Sequence, residues 1–167
     1  MKSPQLMRIL RWALALLACL GLITATAIAA EAVHVIKPEG RTDVIFTRLG
    51  GNVVRVTLWQ TKVGSAYPYK DALLWGGDVG ELPKIVLSSI QIQDGNETVF
   101  MPLSAYGDLG DVRSASLDST TQQGFTLNLH GGDTAASYDA ALNFERGYLV
   151  RRTVVLREFG VGGAMER

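Results

Sequence analysis

The residues best suited to contact a ligand lie between Thr61 and Pro83, where Tyr67, Tyr69 and Trp75 stand among Gly64, Ser65, Pro68, Gly76, Gly77 and Gly80. Aromatic rings with polar tips offer flat apolar faces to a sugar ring or to a protein partner. Lys70, Asp71 and Asp78 add charged groups that would orient such a ligand. So long a segment without periodicity is uncommon in a compact domain and is usually functional or mobile. The competing expectation is that the aromatics fold back to plug the open end of the domain, anchoring the loop.

Acidic residues recur at the turns: Asp94 with Asn96 and Glu97, Asp108 with Asp111, and Asp133. Calcium takes oxygen ligands from loops of this kind, and Asp108 with Asp111 is the pair singled out for it. Against that, Asp and Asn cap turns with their own side chains, and no run has the spacing of a helical calcium loop. Calcium is the one cofactor left open, and no other is implied. His130, Asp133 and Ser137 supply the residue types of a nucleophilic triad. There is no Gly-x-Ser-x-Gly elbow, however, and His130 reads as an outward-facing strand residue. His34 and His130 alone cannot make a zinc site.

These groups must be positioned by β structure. Ser137 to Arg157 reads as two period-2 runs around Glu145-Arg146-Gly147, with Gly147 as the residue able to take a left-handed conformation. A three-residue loop with a bulge then sets Phe144 opposite Tyr148, Leu142 opposite Val150, Ala140 opposite Arg152 and Tyr138 opposite Val154. Tyr138, Ala140, Leu142, Phe144, Tyr148, Val150, Val154 and Leu156 share one apolar face in that register. Arg152 falls on the same face, so its guanidinium needs a carboxylate at the core or its rim, since an unpaired buried charge is costly. The functional alternative is an anion-binding group lining a groove.

Further hairpins are expected around Gly50-Gly51, with the register open, and around Asp94-Gly95 as a type I′ turn. In the second, Ile90, Ile92, Val99 and Met101 fall on one face. Val33 to Ile36 is a short first strand. Asp111 to Asp118 has the short polar side chains of an edge or a solvated face, and Phe125 to His130 alternates with Phe125, Leu127 and Leu129 inward. Some eight to ten short antiparallel strands joined by Gly-, Asp- and Pro-bearing turns predict an all-β chain, a sandwich rather than a barrel.

Lys2, Arg8 and Arg11 precede a run from Trp12 to Ala30 without charge, the pattern of an export signal with an Ala27-Ile28-Ala29 cleavage site. A retained anchor, or lipidation at Cys19, are the alternatives. Residues 1–30 are thus a signal peptide or N-terminal apolar anchor helix, 31–159 a single β-sandwich domain, and 160–167 a flexible Gly-rich tail, with a truncated C-terminus also open. Losing the three basic residues turns a formal net charge of zero into about −3, which gives no support for nucleic-acid binding. Cys19, the single cysteine, lies in the signal, so the remaining chain forms no internal disulfide and has no thiolate chemistry.

The functional expectation is an exported domain, periplasmic, secreted or anchored outside the cytoplasmic membrane. It is non-catalytic and binds a protein, glycan or other envelope ligand through the 61–83 loop. It meets the membrane only through residues 12–30, if that segment is retained. The alternatives are a carboxylate- or calcium-dependent hydrolase whose site is assembled from separate loops, and a purely structural envelope protein.

Overall fold

The computed structural model describes residues 32–64, 75–76, 82–119, 121, 123–132 and 136–157. Residues 1–31, the expected signal or anchor among them, and the tail from 158 lie outside that set. Among the described residues nine strands run in chain order. They are β1 His34–Val35, β2 Gly40–Thr47, β3 Val53–Lys62, β4 Ile85–Asp94, β5 Glu97–Val99, β6 Val112–Asp118, β7 Gly124–Gly131, β8 Tyr138–Glu145 and β9 Tyr148–Leu156. A 3-10 turn, Leu103–Ala105, lies between β5 and β6.

Two antiparallel sheets result, one of five strands ordered β1-β6-β7-β8-β9 and one of four ordered β2-β3-β4-β5. Apart from β1, which pairs with β6, strands within each sheet pair with their neighbours in sequence, through connections as short as the two-residue turns of β4–β5 and β8–β9. Inward residues of both sheets meet in one apolar core, as in a β-sandwich. Val44, Phe46, Val54, Val56, Leu58, Ile90 and Ile92 come from one sheet, and Leu127, Leu129, Ala140, Leu142 and Phe144 from the other. Phe125 and Phe144, directly opposite across β7 and β8, stack at 4.7 Å between ring centroids.

The last hairpin departs from the expected register. Glu145 pairs with Tyr148, so the connection is the two-residue Arg146-Gly147 turn. Both residues have positive φ (50° and 80°), as a type I′ turn requires, and Arg146 adopts the conformation expected only of Gly147. Phe144 therefore lies opposite Leu149, and an irregularity between Asn143 and Phe144 shifts the ladder. Beyond it Leu142 faces Arg152, Ala140 faces Val154 and Tyr138 faces Leu156. The shift of two from expectation keeps parity, so Tyr138, Ala140, Leu142 and Phe144 remain together in the core. Tyr148 and Val150 do not join them: they are exposed, and Leu149 packs against the core instead.

Other elements correct finer expectations. Around Gly50-Gly51 the pairs Val44↔Val56 and Phe46↔Val54 settle the open register, and Ile45 and Val53 stay exposed on the outer side. The β4–β5 turn is Gly95-Asn96 between the paired Asp94 and Glu97. Only Gly95 has positive φ there, as in a type II′ turn rather than I′. Asp94 is thereby freed to pair at 3.0 Å with Arg48, a nearly buried ion pair at that end of the sheet. β6 is no edge, since β1 and β7 flank it, but its outer side is solvated.

Candidate functional site

The outer side of the five-stranded sheet carries polar side chains at alternate positions because its inner side is committed to the core. Ser114 on β6 lies directly opposite His130 on β7, and His130 directly opposite Asp139 on β8. Ser116 and Asn128 form the next cross-strand pair. With Val33 and Arg157 these residues line an open groove of about 520 Å³. That volume falls within the range of small-molecule sites.

The charges in the groove are fixed by contacts. His130 Nδ1 lies 3.0 Å from the carbonyl oxygen of Tyr138 and 3.2 Å from Asp139 Oδ1. Both partners accept, so Nδ1 carries the hydrogen. Nε2 takes no part in either contact. Arg157 Nε donates to the other oxygen of Asp139, and that bond raises the pKa of its guanidinium. Asp139 thus orients two groove-lining groups at once.

Ser114, His130 and Asp139 have the residue types and order of an acyl-transfer triad, with a different Ser and Asp from the grouping His130, Asp133, Ser137. Ser114 makes no hydrogen bond to His130, and β6 and β7 are each paired on both sides. Their N–H groups are committed to ladders, so this stretch of sheet presents no backbone donors to a developing oxyanion. What the row offers is a set of donors and acceptors at fixed spacing.

A second cluster joins the Trp75 end of the core. Trp75 N–H donates to Asp108 O (2.7 Å), and Gly110 N–H donates to Trp75 O (2.8 Å). The half-buried indole packs against the core with its centroid 6.3 Å from the Tyr138 ring. Tyr138 is fully buried, donates its hydroxyl to Gly110 O at 2.9 Å, and burial pushes its pKa up. Gly76 has φ 99°, and a Cβ there would lie 2.4 Å from Gly110 O, so glycine is required. Arg152 Nη2 lies 2.6 and 2.7 Å from the two Asp108 oxygens, while its Nε donates to Ala105 O at 3.1 Å. The guanidinium expected on the core face is therefore compensated at the rim, by a residue of the β5–β6 connection.

Of the proposed ligand-binding residues only Trp75 is described; Tyr67, Tyr69, Lys70, Asp71 and Asp78 lie outside the described residues, as does Asp133. Asp108 has both carboxylate oxygens on Arg152, and Asp111 takes φ 48° where the chain enters β6. Among the described residues no three His, Cys, Asp or Glu side chains converge as a metal site would require. The sequence reading missed the partnership of His130 with Asp139 and Arg157. Pairing the alternation of β7 with that of β8 residue by residue would have found it.

No family model, no curated protein and no solved structure matches this chain.

Proposed function

We propose that this chain is an exported, non-catalytic binding domain of the cell envelope, and that the outer groove of its five-stranded sheet holds a polar ligand, a glycan by its chemistry. The observation that carries this reading is the row Ser114, His130, Asp139 with Arg157, in which Asp139 fixes two groups while His130 Nε2 takes no part in those contacts and Ser114 has no side-chain partner among the described residues. Hydroxyl, imidazole, amide and guanidinium groups at alternating sheet positions match the closely spaced hydroxyls of a sugar. Val33 adds an apolar wall for a ring face. The 61–83 loop, expected from its aromatic residues to bind, stays a second candidate contact region. Export rests on the cationic segment and uncharged run of residues 1–30.

The test is calorimetric titration of the protein with soluble fragments of envelope glycans, before and after Ser114→Tyr. Tyrosine suits a strand and fills the groove without touching the core. Binding by the native chain, lost in the variant at unchanged melting temperature, supports the groove. Equal binding by both would move the site elsewhere.

A further inference from the structure

We infer that β9 is a docking edge for an extended segment of another polypeptide, which adds to the five-stranded sheet as a sixth strand. This goes beyond the groove and does not depend on it. β9 closes one side of its sheet and, among the described residues, is paired only with β8. It runs nine residues, whereas the opposite edge, β1, has two and the short edge of the other sheet, β5, has three. Exposed edges are usually kept short or blunted because their free N–H and C=O groups template another strand. β9 is long and also keeps apolar side chains in solvent: Tyr148 is 73% exposed, Val150 54%, Val155 57% and Leu156 54%.

The ladder says which backbone groups are free. Arg157 N–H donates to Ser137 O, in register with the facing pair Tyr138↔Leu156. Antiparallel pairs alternate between bonded and unbonded, so Leu156, Val154 and Arg152 turn their N–H and C=O groups away from β8. Those three residues are the acceptors of a new strand.

Charge identifies the occupant. Arg152 is neutralised by Asp108 and Arg157 by Asp139, whereas Arg151 on the outer side has no ion-pair partner among the described residues. An incoming segment with an acidic residue opposite Arg151, and apolar residues at alternate positions over Val154 and Leu156, satisfies both faces. A second copy of β9 fits poorly. Two copies fully overlapped about their common centre set Arg151 opposite Thr153, and β9 carries no carboxylate to answer it.

The experiment uses the full chain in neutral detergent and three capped nine-residue peptides of alternating valine and threonine. One carries a central glutamate, one a central lysine, and one has prolines at alternate positions. Amide NMR is expected to show saturable binding of the glutamate peptide, with shifts at Arg152, Val154 and Leu156. The lysine peptide should bind about fivefold more weakly, as one cross-strand charge pair allows, and the proline peptide not at all. Arg151→Glu, an exposed change that leaves the fold intact, should reverse the preference for glutamate over lysine. Val154→Pro removes an outward N–H, together with a side chain that packs against the core, and should abolish binding; if it unfolds the chain, the Arg151 reversal decides alone. No saturable binding at millimolar glutamate peptide, equal binding of the proline peptide, or preference unmoved by Arg151→Glu would each overturn the proposal. So would a β9-mediated dimer in sedimentation that the peptide competes away, because the occupant would then be a second copy.

Discussion

Gln60 is 2% exposed and spends its whole carboxamide on backbone outside its own sheet. Nε2 donates to Val112 O at 2.8 Å and to Lys37 O at 2.7 Å, and Oε1 accepts from Val112 N–H at 2.9 Å. Val112 opens β6, where the ladder to β7 is irregular, so the side chain of a β3 residue replaces part of a strand pairing between the two sheets. Gln60→Leu keeps the volume and leaves the N–H and C=O of Val112 without partners. At about 1–3 kcal/mol for each orphaned buried group, the expected loss is about 4 kcal/mol, or roughly 10–20 °C in melting temperature for a domain of this size. Urea unfolding should show the transition midpoint falling while its slope is unchanged. Gln60→Glu adds a signed control. A buried carboxylate facing two carbonyl oxygens has a raised pKa, so its protonated form favours the fold. The variant should then be most stable below the ordinary glutamate pKa of about 4.3 and lose stability as pH rises. A Gln60→Leu protein within about 1 kcal/mol of the native chain would refute the idea that this amide ties the sheets together.

Arg146→Gly should stabilise by about 0.5–1 kcal/mol in equilibrium unfolding, because it relieves an L-residue held at φ 50°. Tyr138 ionises only after unfolding, its pKa being raised by burial and by Asp108 and Asp111. Stability should therefore be complete below about pH 10 and fall at higher pH by up to about 1.4 kcal/mol per unit, a dependence that Tyr138→Phe removes in pH-scanned melting. Arg152→Ala strands the Asp108 carboxylate at the rim and should cost about 1–3 kcal/mol, since the pair is partly exposed. With Asp108 occupied by Arg152, millimolar calcium should leave the native melting temperature unchanged; a clear rise would place a cation there after all.

Parity was the legible part of this chain. Phe125, Leu127 and Leu129 against Thr126, Asn128 and His130 states the inner and outer sides of β7 without ambiguity, and the structure keeps it. Absolute register was not legible, because it turns on single residues at turns. The last hairpin hid its two-residue connection behind an arginine in the left-handed region, and a bulge at Asn143/Phe144 then restored the pattern. Position along the sheet was equally hidden: the short polar face of β6 resembles an edge, yet β1, two residues long, covers it. Arg152 announced its need for a carboxylate by standing on an apolar face, but nothing local names Asp108, 44 residues away, as the partner. The groove residues escaped notice for the same reason. Ser114, His130 and Asp139 become neighbours only through cross-strand pairing, and each alone is an ordinary solvated position.

The most direct measurement of the central claim is residue-resolved amide NMR of the protein during titration with a soluble envelope glycan. Shifts should cluster on Ser114, Ser116, Asn128, His130, Asp139 and Arg157, with the imidazole signals of His130 moving in step as Nε2 gains a partner. A glycan that binds without perturbing that row, or a panel of them that leaves it silent throughout, would contradict the assignment of the groove.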